Sequence, residues 1–115
     1  MTNLLKAEKT LNFPNNKSYK ARMSLDTIMQ IEATLGSSIL KVANKLSTGE
    51  LTLTEIITIL TLSIRGGGND VKDNEIKTLV SEVGLVESIK QTGEILTLAL
   101  SVDDVEATDE KKSES

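Results

Sequence analysis

The sequence predicts a mainly α fold with a small N-terminal β-hairpin (α+β), about five short helices packed around a central helix at 53–65. Three observations predict it. Apolar and polar residues alternate with strand period between residues 10 and 24. From Ser24 onward the apolar residues recur at helical spacing. The helical stretches are bracketed by capping residues and glycines.

The hairpin comes first, at 10–24. Leu11 and Phe13 alternate with polar neighbours, and Tyr19, Ala21 and Met23 do the same after Pro14-Asn15-Asn16-Lys17. Proline presets φ for the second position of a turn, and asparagine tolerates the left-handed conformation that closing a hairpin often needs. A lone hairpin is marginal in water, so its apolar face must lie on something else.

Four capped helices follow. Ser24 can cap a helix at 25–35, with Asp26 in its first turn, where the helix dipole favours an anion. Leu25, Ile28, Ile31 or Glu32, and Leu35 form its apolar face, and Gly36 supplies a left-handed stop. Ser37 opens a second helix, about 38–47, that carries Ile39, Leu40, Ala43 and Leu46. Thr52-Leu53-Thr54-Glu55 reads as a capping box at the head of the third helix, 53–65. On a wheel of about 100° per residue, Leu53, Ile56, Ile57, Leu60 and Ile64 share one arc. Thr54, Thr58 and Thr61 lie opposite, while Ile59 and Leu62 extend the apolar arc beyond half the circumference. That width marks this helix as the centre of the fold. A fourth helix at 73–83 has Glu75 at its third position, Val71 and Ile76 placed as a hydrophobic staple, and Gly84 at its end.

The fifth helix, 86–101, carries two apolar stripes. Val86, Ile89, Gly93, Leu96 and Leu100 share one arc, and Ile95, Leu98 and Val102 share a nearly opposite one. A helix on the surface of a monomer needs a single stripe. Either two parts of the fold sandwich this helix, or Ile95, Leu98 and Val102 form an exposed partner-binding face for a client protein or a homo-oligomer. Residues 1–102 thus read as one globular domain. The acidic and small polar residues of 103–115 read as a disordered tail, because they cannot bury enough apolar area to offset their ordering entropy.

Composition excludes most chemistry. With 115 residues the chain has room for one domain, which buries about two-thirds of its unfolded surface without staples. There is no cysteine and no histidine. That removes disulfides, thiolate metal sites, thiol catalysis and the usual general base. No catalytic, cofactor-binding or metal site is expected, and the chain is not expected to be an enzyme. Residues 1–24 hold five basic groups against Glu8, a net of +4, whereas residues 101–115 hold six acidic groups against Lys111 and Lys112, a net of −4. A chain of net charge −4 with only Phe13 and Tyr19 as aromatics lacks the electrostatic footprint and stacking platforms of a nucleic-acid binder. The N-terminal cations read as a solvated strand face. No apolar run is long enough to span a membrane, and the first residues lack the pattern of a secretory signal, so an intracellular protein is expected.

Two local patterns invite a ligand and do not sustain one. Arg65-Gly66-Gly67-Gly68 could form a nest of amides for phosphate, but it follows a helix and has Asn69-Asp70 where a P-loop carries lysine and a hydroxyl. It reads as a flexible helix–helix connection. Asp70, Asp73 and Glu75 have the charge of a calcium loop, but Glu75 stands at its sixth position and Ser81 at its twelfth. They read as acids at the start of a helix.

The order of elements resembles a known family. The hairpin is followed by Leu25-Asp26-Thr27-Ile28-Met29-Gln30-Ile31-Glu32-Ala33-Thr34-Leu35-Gly36-Ser37-Ser38, then Leu40 to Gly49, then Leu53-Thr54 through Leu62-Ser63-Ile64-Arg65-Gly66-Gly67. Over residues 10–100 this resembles the small tail assembly chaperones of long-tailed phages, and among them the gene-transfer-agent type, also described as tail tube proteins. The resemblance implies a non-enzymatic protein without cofactors. Its partners would be the tape-measure protein, kept soluble before the tail forms, and the tail tube protein recruited around it. It further implies a place in the cytoplasm of the bacterial host and absence from the mature particle. A small structural virion component, such as a tail tube-associated or connector subunit, and a generic helical adaptor are the other classes open at this point.

Overall fold

A computed structural model describes residues 8–114, with side chains described for residues 8–100. Strands β1 (Glu8–Phe13) and β2 (Lys17–Arg22) form the hairpin, and helices α1 (Leu25–Leu35), α2 (Ile39–Ser47), α3 (Leu53–Gly66), α4 (Asp73–Val83) and α5 (Leu85–Glu114) follow. This is the mainly α, α+β architecture the patterning predicts. The fifth helix, expected at 86–101, runs on to Glu114, and the side chains of the expected tail at 103–115 lie outside the described residues.

The hairpin pairs antiparallel, from Glu8 opposite Arg22 to Phe13 opposite Lys17. Asn15 and Asn16 both take positive φ, 65° and 59°, as a primed hairpin turn requires. The proline therefore precedes the two central positions instead of occupying one. Its carbonyl closes the turn by accepting from the Lys17 N–H at 3.4 Å. The odd-numbered residues face inward: Leu11, Phe13, Ala21 and Met23 are buried, and the Phe13 and Tyr19 rings meet edge to face at 5.9 Å.

The caps predicted from sequence at α1 and α3 are made. Ser24 Oγ accepts from the Thr27 N–H at 3.2 Å, and Gly36 stops α1 at φ 69°. Ser38, and not Ser37, caps α2 by accepting from the Lys41 N–H. The Ile39 N–H donates to Glu32 Oε2 at 2.8 Å, which ties the head of α2 to α1. Both bonds of the Thr52–Glu55 box are present, at 3.1 and 2.8 Å. At α4, Glu75 accepts from the Lys72 N–H at 2.9 Å, while lysine has no acceptor with which to reciprocate. Val71 and Ile76, the expected staple, are both buried.

Helix α3 is central: it touches β2, α1, α4 and α5. Its buried side chains are Ile56, Ile59, Leu60, Thr61, Ser63 and Ile64. The arc is therefore rotated from the expected one. Leu53 is half exposed, whereas Ile59 and Thr61, placed outside it by the wheel, are inside. With neighbours on several sides, burial follows packing more than the wheel's most apolar direction.

The glycines after α3 hold a tertiary contact. A Cβ on Gly66 would lie 2.5 Å from Thr27 Oγ1 and 2.9 Å from the Arg22 carbonyl oxygen, and one on Gly67 would fall on the Lys20 carbonyl. Asn69 Nδ2 donates to that same Lys20 oxygen at 2.9 Å and to the Ile64 oxygen at 3.1 Å. The run expected to be a flexible connection is thus a close backbone-on-backbone junction between the end of α3 and the outer edge of β2. Gly67 takes an ordinary φ of −82°, so closeness, and not conformational freedom, requires a glycine there.

Candidate functional site

The fifth helix was the sequence's candidate surface, and its two faces are distributed differently from expectation. Ile95 is fully buried, Leu98 is partly buried against the core, and the Val102 side chain lies outside the described residues. The expectation that Ile95 is exposed in the isolated chain is therefore corrected. Helix α5 contacts α2, α3, α4 and β1, so the fold sandwiches its middle turns. Leu96 and Ala99 are buried as well, and Gly93 passes so close to Leu46 that a Cβ there would lie 3.3 Å from its methyl group. The first turns direct one face inward, with Ser88 fully buried, and the other to solvent: Val86 is 83% exposed, and Leu85 and Ile89 are also exposed.

Other large apolar groups face solvent on α1 and α2, and Leu53 does so at the head of α3. On α1, Leu25 and Met29 stand one turn apart and are exposed, with Ala33 continuing their line. Glu32, Ala33, Gly36, Ser37 and Ser38 border a shallow cleft beside Met29. Leu40 on α2 is 66% exposed, although its spacing assigned it to the core, because Val42 takes the inward position. These residues were missed as surface groups. Met29 and Val86 each stand between an apolar and a polar residue, Ile28 and Gln30, Leu85 and Glu87, and Leu40 and Val42 are equally apolar, so the local sequence carried little signal.

The polar groups are arranged for structure. Lys45 Nζ donates to Glu55 Oε2 at 2.6 Å, bridging α2 and α3. That bond, followed by the Thr52 backbone N–H, holds the Glu55 carboxyl below the usual glutamate range. Arg65 Nε donates to the Val71 carbonyl at 2.8 Å and borders a cavity of about 230 Å³ with Thr34, Thr58, Thr61, Leu62 and Asp73. Thr61 Oγ1 is buried without a hydrogen-bond partner. The possible phosphate nest at Gly66–Gly67 is filled by the backbone of β2. Among the described residues no group of three or more Asp or Glu is placed to hold a metal ion, and no helix is long and apolar enough to cross a membrane. The surface offers shape and apolar area for another macromolecule.

Residues 7–102 match the model of a family described as "Phage tail tube protein, GTA-gp10". The chain belongs to this phage tail tube protein family. Comparison with curated proteins and with solved structures finds no match. Membership in the GTA-gp10 family makes the chain a phage or gene-transfer-agent tail protein, and it suggests other tail proteins as partners. The matched region takes in the hairpin, α1 to α4 and α5 as far as Val102. The exposed groups of α1, α2 and the head of α5 therefore all lie within the shared region.

Proposed function

We propose that this GTA-gp10 family member acts as a tail assembly chaperone, binding the tape-measure protein before the tail forms and aiding assembly of the tail tube around it. One observation carries the reading. A small acidic domain leaves large apolar side chains exposed on four helices: Leu25 and Met29 on α1, Leu40 on α2, Leu53 on α3, and Leu85, Val86 and Ile89 on α5. Such groups suit the apolar stripe of an amphipathic client helix, which docks by burying side chains at helical spacing. The net charge of −4 favours keeping the complex soluble. The role needs no cofactor, places the protein in the cytoplasm of the host cell, and leaves it out of the finished particle.

A second reading is that the chain stays in the particle as a structural tail component, which the family's description as a tail tube protein favours. Two experiments separate them. Co-expression with the tape-measure protein of the same gene cluster, followed by affinity purification, should yield a complex and rescue the solubility of the long protein. Mass spectrometry of purified particles should lack the chain. A tape-measure protein that behaves identically with and without this chain, together with the chain's presence in particles, would replace the chaperone by the structural role.

A further inference from the structure

The two edges of the hairpin are treated differently by the rest of the fold. On β2 the carbonyls of Lys20 and Arg22 point outward, onto Gly67 and Gly66, and Asn69 Nδ2 donates to the first of them. That edge is closed. Lys20 lies opposite Thr10, Arg22 opposite Glu8 and Ser18 opposite Asn12. In an antiparallel ladder both backbone groups of a residue point to the same side, and the side alternates along the strand. Glu8, Thr10 and Asn12 therefore direct their N–H and C=O groups away from β2. A bond outside the sheet agrees: Gln91 Nε2 on α5 donates to the Asn12 carbonyl at 3.1 Å.

Past the first residue of the strand, Glu8, what remains on β1 is the N–H and C=O of Thr10 and the N–H of Asn12, and among the described residues no strand pairs with this edge. The edge runs beside a cavity of about 190 Å³, lined by Lys9 to Asn12 of β1 and by Glu87, Lys90, Gln91 and Glu94 of α5. Gln91 is 3% exposed, and its Oε1 has no hydrogen-bond partner, a costly condition for a buried carbonyl. The edge thus presents two donors, Thr10 N–H and Asn12 N–H, and two acceptors, Thr10 C=O and Gln91 Oε1. A donor and acceptor on one outward-facing residue are matched by the paired N–H and C=O of another extended chain.

We propose that the outer edge of β1 receives an extended, polar segment of a tail protein partner, which adds as a third strand beside Thr10 and satisfies Gln91 Oε1. The geometry of the site is independent of the chaperone reading, and only the identity of the partner rests on it. Both signs of charge stand around the cavity, with Lys9 and Glu94 4.0 Å apart. The segment is accordingly selected by backbone pairing and polar side chains, in contrast to the apolar surfaces of α1, α2 and α5.

The test uses the full chain with the purified tape-measure protein, and in parallel the tail tube subunit, of its gene cluster. Thr10→Pro removes the outward N–H without touching a ladder bond, a position at which an edge strand tolerates proline; Thr10→Ala keeps the backbone and changes only the side chain. Thr10→Ala should bind within twofold of the wild type, and Thr10→Pro should bind at least tenfold more weakly with an unchanged circular dichroism spectrum. Should Thr10→Pro fail to fold, amide exchange of the wild type decides: the Thr10 amide should be protected at least tenfold more in the complex than in the free chain. Equal binding by both variants, or no added protection, overturns the edge proposal and leaves the chaperone reading standing. A wild-type chain that captures neither protein overturns both. Dimerisation of the chain alone that Thr10→Pro abolishes would give the edge to a second copy and overturn the partner strand.

Discussion

Replacing Gly67 by alanine places a methyl group on the carbonyl of Lys20, the backbone of the strand against which α3 ends. The native φ of −82° is one that alanine adopts freely, so the penalty is steric and not conformational. The obstacle is strand backbone held by the hairpin ladder, and no rotamer change relieves it. Overpacking of this kind costs about 1–3 kcal/mol. Separating α3 from β2 also stretches the Asn69–Lys20 bond, worth about 1 kcal/mol. A loss of roughly 2–4 kcal/mol corresponds to a fall in Tm of about 8–16 °C for a domain of this size. Thermal unfolding followed by circular dichroism measures it. Gly68→Ala is the internal control: its Cβ meets nothing within 4 Å, but its φ is 99°, so it should lose only about 1–2 kcal/mol. A Gly67→Ala chain that melts within about 2 °C of the wild type would refute the close junction and restore the run to a flexible connection.

Three further outcomes are expected. Glu55→Ala removes both the reciprocal cap and the Lys45 bridge and should destabilise by about 1–2 kcal/mol, whereas Glu55→Gln keeps a capping acceptor and should lose less. Because the Lys45 bond holds the folded Glu55 carboxyl below the usual glutamate range, its charge contributes stability above that range and loses it as pH falls through the lower folded value; denaturant titrations of wild type and Glu55→Gln should converge in that acid range. Ile95→Ala, at a fully buried position, should cost about 2–5 kcal/mol, and Leu98→Asp should likewise lower Tm; a client-binding defect with native stability in either variant would return that face to the surface. Met29→Asp combined with Val86→Asp, at exposed positions, should leave Tm within about 2 °C and weaken capture of the tape-measure protein, and undiminished capture would remove these groups from the proposed interface.

Much of the architecture was legible because its signals are local. A cap is a hydrogen bond between residues three apart, so Ser24, Thr52 and Glu55 announce their helices wherever the rest of the chain goes. Strand period placed Leu11, Phe13, Ala21 and Met23 on one inward face. The interaction surface was not legible in the same way. Several side chains of similar apolarity compete for each inward position, and which of them wins depends on neighbours far away in sequence.

The amino-acid sequence by itself determined the order and type of the elements, their caps, the width of the central helix's apolar arc, and the absence of histidine and cysteine chemistry. Tertiary structure decided which faces those elements bury. It put Thr27 and Thr61 inside while Leu40 and Val86 stayed out, enclosed Ile95 between packed elements, and turned a glycine run into a junction. The physical reason is range. Capping and period are written in residues three or four apart, but burial is a property of how many elements meet at a point, and that number exists only once the chain has folded.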